Sequence, residues 1–446
     1  MKYGVVILGG AADEPLDELG GRTALEAAET PTLDAVARAG RVGAAVTTPP
    51  ERAPSSEIAL TALLGFDPIE VGAARGPIEA LGMGVDLAPD EAACRCSLVT
   101  VGVDPDADEG VLLNHATPGL TTPEARALFE AVEQAWRMEA PEDSLSLRLV
   151  TGAGHRAVLI DSSGRALGGV ETWAPHEVIR RPWDRVAPEG EHGTWLRRLM
   201  AISFDALRDH EVNRARRENG LQPATMLWLW GLGRAPRKRT FEEAYGLRAA
   251  MVTGRAVGAG VARALGIDRI PAPGLTPGDD TDYAAMGEAA SAALDRYDVV
   301  IVDASAPDAA AHRADPVGKA EALEAIDREV IAPLRDRLAT FGDAEASPVD
   351  DPSLGWRLLV TVDHATSAKT GEHLDRPAPF ALAGAWVRSV VERTCTEAEA
   401  DESDLVVDPG FELMEYALYS ALKSAQRTRR QRQRAAADAP GDGEGS

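Results

Sequence analysis

Residues 299–312 read VVIVDASAPDAAAH, an aliphatic run that breaks into Asp308 and, four residues later, His312. A short continuous apolar run bounded by a proline-containing break reads as a strand buried on both faces. Residues 358–367, LLVTVDHATS, repeat the pattern and end on the adjacent pair Asp363 and His364; His373 follows in 369–380, KTGEHLDRPAPF. Open parallel sheets place their chemistry just past the carboxyl ends of their strands. Mixed aspartate and histidine sets bind hard or borderline divalent ions. Any one of these residues alone reads as a surface or capping residue. Together they read as a metal centre.

Working outward, the chain alternates strand and helix. Residues 3–10 (YGVVILGG) predict a strand and a glycine turn, and 30–40 (TPTLDAVARAG) a helix. Residues 55–65 (SSEIALTALLG) predict a helix with Ser55 or Ser56 at its start and glycine at its end. Strands are expected at 224–233, 297–305 and 356–364, a strand followed by a helix at 246–266, and a helix at 319–338. Such alternation predicts an α/β fold with a mostly parallel sheet between helices. Between about 70 and 210 the texture changes to short alternating strands, an acidic helix near 123–140 and Pro/Trp-rich connections. This predicts a smaller α+β domain, 70–210, inserted into a core made of 1–69 and 211–424. Residues 425–446, basic and then small and acidic, are expected to be a disordered tail.

The chain has 446 residues and a formal charge of −25, which argues against nucleic acid or an anionic membrane as partner. No run approaches the roughly 18–20 apolar residues that span a bilayer, and the N-terminal segment lacks the long apolar core of a signal peptide. The three cysteines, Cys94, Cys96 and Cys395, make no disulfide framework. A reduced, cytoplasmic setting is the expectation. Cys94 and Cys96 share one strand face and read as small buried residues rather than half a soft-metal site.

Ser56 stands at a predicted helix start, where unpaired N–H groups favour an oxyanion or phosphate. A serine hydroxyl is a poor nucleophile until a base or metal takes its proton. With Asp308, His312, Asp363, His364 and His373 downstream, it suggests metal-activated phosphoryl transfer; as an isolated residue it reads as an N-cap. At this point the ordered segments 12–40, 53–68, 74–87, 95–101, 154–160, 226–236, 303–312 and 362–373 resemble the archaeal-type, cofactor-independent phosphoglycerate mutases of the alkaline phosphatase superfamily. The resemblance runs to about residue 420 and is nearest to a bacterial branch also proposed to act as homoserine kinases.

The resemblance implies an alkaline phosphatase-like core and two divalent ions, commonly manganese, with magnesium or zinc as alternatives, and no 2,3-bisphosphoglycerate. One ion would be held by Asp308, His312 and His373. The other would be held by Ser56, Asp363, His364 and an aspartate at the end of the first strand. Ser56 would carry the phosphoryl group between the 3- and 2-hydroxyls of glycerate, and Arg75 and Arg156 match the family's substrate-binding region. The implied partner is a small phosphorylated metabolite, and a homo-oligomer is left open. The chain departs from the pattern at Gly9, where the first-strand aspartate is expected. Ala259 and Met286 stand where basic residues are common, and Ser367 where proline is usual. A homoserine kinase-like phosphotransferase and a non-catalytic relative therefore stand beside the mutase reading.

Overall fold

The computed structural model describes residues 1–50, 52–103, 110–152, 154–190, 192–236, 239–342 and 355–420. The tail expected at 425–446 lies outside them. Contacts divide the chain into two compact units. One comprises Met1–Pro68, Arg239–Gly258 and the described chain from Leu265 onward; the other comprises Ile69–Lys238 with Ala259–Ala264.

The first unit is built on an eight-stranded sheet. Its order is Val406–Val407, Arg41–Ala45, Ala378–Gly384, Trp356–Val362, Lys2–Leu8, Val299–Ala304, Ala249–Thr253 and Asp268–Arg269. Lys2–Leu8 pairs in parallel with Val299–Ala304 on one side and Trp356–Val362 on the other. Ala249–Thr253 continues the parallel run, whereas Ala378–Gly384 is antiparallel to both its neighbours. Every residue of Val299–Ala304, Trp356–Val362 and Ala249–Thr253 is buried. That explains their continuous apolar sequence, since helices cover both faces of such a sheet.

On one face Val6, Leu8, Val300, Val302, Leu358 and Val360 pack with Leu33, Val36, Met286, Leu323, Ile326 and Leu334 of the covering helices. Met286, at a position where the resemblance led one to look for a base, is simply part of this core. The buried Asp327 carboxylate accepts from the N–H groups of Thr32 and Leu33, at 3.0 and 2.7 Å. It thereby supplies the anion favoured at the start of helix Pro31–Ala39. On the opposite face the Tyr3 hydroxyl and the Arg357 guanidinium donate to carbonyls of Leu418 and Ala417, in or at the end of helix Glu412–Tyr419.

The second unit is antiparallel. Ala92–Val103 pairs with Gly110–Asn114, Arg156–Asp161 and Met226–Arg234, and Arg156–Asp161 also pairs with Leu147–Thr151. This sheet thus draws on chain from both sides of residue 210. Helices Thr122–Glu139 and Thr194–Leu207 bury Leu128, Phe129, Trp136, Leu196 and Leu199 against it, and Cys94 and Cys96 are free thiols in that core. Among the described residues no helix is long and apolar enough to cross a membrane.

Candidate active site

Four neighbouring parallel strands end together: Leu8 is level with Ala304 and Val362, and Thr253 with Asp303. The side chains just past those ends make the site. Asp308 and His312 lie on the short helix Ala306–His312 that follows Val299–Ala304. Asp363 and His364 follow Trp356–Val362, and His373 stands on the two-residue strand His373–Leu374, which pairs with Ala365–Thr366.

One atom each of Asp308, His312 and His373 lies within 4.8 Å of the others, a spacing that could hold a metal ion. The donors are also correctly presented. His312 Nδ1 lies 2.7 Å from the carbonyl of Gly371, and His373 Nδ1 lies 2.9 Å from that of Pro54. A carbonyl only accepts, so each Nδ1 carries a proton; in the neutral ring each Nε2 then offers a lone pair, the orientation that metal-binding histidines take from their outer partners. Both Nε2 atoms face Asp308 Oδ1, at 3.5 and 3.9 Å. Burial, then the neighbouring His364, pushes the pKa of His373 down to about 3. Burial works to raise the pKa of Asp308, but His312, His364 and His373 outweigh it and hold the carboxyl well below its usual range. A carboxylate with two imidazoles suits a borderline divalent ion.

Gly10 permits this approach. Its φ is +62°, and a Cβ there would fall 2.4 Å from Asp308 Oδ1. Its N–H donates to Asp363 Oδ1 at 2.8 Å. Asp13, a few residues on, is bound by the buried Lys319 ammonium at 2.7 Å.

Ser56 is the first residue of helix Ser56–Leu63, with Ser55 as N-cap. Its Oγ lies 3.2 Å from His364 Nε2. His364 Nδ1 is 3.2 Å from the Thr366 hydroxyl, which donates to Asp308 Oδ1 at 2.7 Å. Because the threonine proton points at the carboxylate, its oxygen accepts from Nδ1–H. In neutral His364 the Nε2 is then bare and accepts from Ser56. The serine oxygen also accepts from Arg255 Nη1 at 3.1 Å.

Arg255, Asp303 and Thr366 were not singled out from the sequence. Yet Asp303 sits inside the run quoted first, as the one charged residue of a fully buried strand, and such a residue demands a cation. That cation is Arg255, whose Nε and Nη2 lie 2.9 and 2.6 Å from the Asp303 carboxylate. Arg255 Nη2 also donates to Asp363 Oδ2 at 2.9 Å. Burial alone would lower its pKa, but Asp303 and Asp363 outweigh burial and push it above the ordinary arginine value.

Arg75 and Arg156 both belong to the second unit. Arg75 opens helix Arg75–Gly82 and its Nε contacts Glu79 at 2.6 Å; Arg156 is exposed at the start of Arg156–Asp161. The buried Arg95 pairs with the other Glu79 oxygen. Burial favours neutral Glu79, but Arg95, Arg75 and Arg156 outweigh it and hold its pKa at about 2. Three guanidinium groups against one carboxylate leave positive charge in excess, in a chain whose formal charge is −25.

The family model described as 2,3-bisphosphoglycerate-independent phosphoglycerate mutase matches residues 37–213. A Geobacter sulfurreducens protein named as a probable 2,3-bisphosphoglycerate-independent phosphoglycerate mutase is 34% identical over 419 residues, 94% of this chain and 100% of its own. A Methanothermobacter thermautotrophicus enzyme named as such a mutase is 34% identical over 96% of this chain and 99% of its own. The solved structure of a Pyrococcus horikoshii protein superposes with a TM-score of 0.70 at 28% identity, covering 95% of this chain and 97% of that one. A cofactor-independent phosphoglycerate mutase from Thermoplasma acidophilum shares the fold, with a TM-score of 0.54 at 23% identity over 94% of this chain and 99% of its own. The chain belongs to the 2,3-bisphosphoglycerate-independent phosphoglycerate mutase family.

Proposed function

We propose that this protein interconverts 3-phosphoglycerate and 2-phosphoglycerate through a phosphoserine at Ser56, without 2,3-bisphosphoglycerate. The observation that carries the reading is the position of the Ser56 oxygen. It lies at a helix N-terminus, between His364 Nε2 and Arg255 Nη1, in the same cluster as Asp308, His312 and His373. Those three residues would hold a divalent ion, manganese being the first candidate, which when bound supplies positive charge to phosphoryl oxygens.

The chain's own groups do the rest. Ser56 Oγ attacks phosphorus as its proton passes to His364 Nε2; the bond from phosphorus to the glycerate 3-oxygen breaks, and that oxygen takes up a proton. The glycerate turns; its 2-oxygen attacks phosphorus as the 2-hydroxyl proton passes to His364 Nε2, the bond from phosphorus to Ser56 Oγ breaks, and His364 returns the proton to the serine oxygen. Nothing is consumed, so the reaction is an isomerisation. The N-terminus of helix Ser56–Leu63 and the Arg255 guanidinium favour the charge that gathers at the serine. Arg75 and Arg156 of the second unit are the proposed anchors for phosphate and carboxylate, because guanidinium forks match both groups. The three cysteines are buried free thiols, which fits a reduced, cytoplasmic setting.

The test is a coupled assay of 3-phosphoglycerate turnover with manganese, combined with mass spectrometry of the substrate-treated protein. Ser56→Ala should lower turnover more than about a thousandfold and abolish the phosphoserine mass shift. No turnover by the manganese-loaded protein would reject the mutase reading. Transfer from a nucleoside triphosphate to homoserine, in its place, would replace that reading with the kinase one.

A further inference from the structure

We infer that the Arg255 guanidinium takes the place of the second metal ion, so that the protein works with one bound ion and one built-in cation. The inference rests on the family reading of the site and departs from it at a single point. A second ion needs Ser56, Asp363, His364 and a carboxylate after the first strand. That last position is Gly9, which has no carboxylate, and a Cβ added there would stand 3.0 Å from Ser305 Cα. The remaining donors are already engaged. Asp363 Oδ2 accepts from Arg255 Nη2 at 2.9 Å, while Oδ1 accepts from the N–H groups of Gly10 and His364 at 2.8 and 2.7 Å. Ser56 Oγ accepts from Arg255 Nη1.

Arg255 is held where it is from its other edge. Its Nε and Nη2 fork onto Asp303, whose Oδ2 also accepts from the Thr253 hydroxyl at 2.7 Å. Gly258 makes room for that carboxylate, since a Cβ there would lie 2.2 Å from Asp303 Oδ2. Arginine and Asp303 are 7% and 0% exposed, and Asp363 is 0% exposed. The formal charges also balance. Asp303, Asp363 and Asp308 contribute three negative charges; one guanidinium and one divalent ion contribute three positive. A second divalent ion would leave an uncompensated excess beside a guanidinium that does not give up its proton.

The experiment is metal stoichiometry on the wild-type protein, stripped with chelator and returned to saturating manganese, read by elemental analysis and by electron paramagnetic resonance. The expected result is one manganese per chain with an uncoupled spectrum, falling to none in Asp308→Ala. Arg255→Ala frees Ser56, Asp303 and Asp363 as donors beside His364 and should raise the count to two. Two ions in the wild type with an exchange-coupled spectrum, or no ion at all, overturns the inference. So does a folded Arg255→Ala that still holds one ion. These readouts use no substrate: one ion without mutase turnover would sink the proposed function and leave this inference standing, and two ions with turnover would do the reverse.

Discussion

Replacing Lys319 by methionine should unsettle the candidate metal site from a distance. Lys319 is fully buried, and its ammonium donates to Asp13 Oδ2 at 2.7 Å, to the Thr366 carbonyl at 2.7 Å and to the Ala12 carbonyl at 3.1 Å. Methionine keeps the length and the apolar stem but removes the charge and all three donors. The Asp13 carboxylate, itself 0% exposed, keeps only backbone N–H partners such as Ala368. Removing one partner of a buried ion pair costs about 3–5 kcal/mol. The two carbonyls lose about 1 kcal/mol each, part of which the same figure already includes, so about 4–5 kcal/mol is expected. For a unit of this size each kcal/mol lowers Tm by roughly 2–4 °C, which gives a fall on the order of 10 °C by calorimetry of the metal-free protein. Lys319 also ties the loop after Gly10 to Thr366, whose hydroxyl holds Asp308. Manganese affinity by titration calorimetry should therefore weaken about 10-fold or more. Adding Asp13→Asn should restore much of the lost stability by removing the unpaired charge. A fall in Tm under about 2 °C with unchanged manganese affinity would refute this reasoning.

Other expectations follow from single contacts. Gly10→Ala forces a side chain into the left-handed region, at about 1–2 kcal/mol, and pushes its Cβ against Asp308; manganese titration should show a weakened site even where the protein remains folded. The pKa of Glu79 is about 2 when folded, against 4.5 as its ordinary value. A depressed folded pKa gives stability that is full above the unfolded value and lost as pH falls through the folded one. The second unit should therefore lose about 3 kcal/mol between pH 4.5 and 2, and Glu79→Gln should remove that slope from acid denaturation curves.

The candidate site residues that stand past strand ends were legible because the sheet itself was. Continuous apolar runs ending on Asp308, Asp363 and His364 announce parallel strands and, with them, the edge where chemistry gathers. What one chain does not state is which strand lies beside which. Arg255 follows Thr253, and Asp303 lies directly across from Thr253 in the next strand, so their pairing exists only once the sheet order is known. Thr366 and Lys319 were hidden for a related reason: a threonine two residues past a ligand and a lysine in a helical run look ordinary until burial shows what they hold. Met226–Arg234 carried an unmistakable strand pattern, but its pairing with Ala92–Val103 depends on contacts across more than a hundred residues. Sequence pattern fixed what each segment is, and tertiary pairing decided where it belongs.

Lys2–Leu8 lies between two strands made far later, Val299–Ala304 and Trp356–Val362. Contacts that close the site span 308 residues from Ser56 to His364, 319 from Pro54 to His373 and 353 from Gly10 to Asp363. At about 5–20 residues per second of synthesis, an apolar strand leaves the ribosome roughly 15–60 seconds before either neighbour exists. During that interval its apolar side chains have neither sheet neighbour to pair with. A chain cut before residue 373 lacks one member of the Asp308, His312 and His373 set, so the candidate metal site can form only after most of the polypeptide has been made.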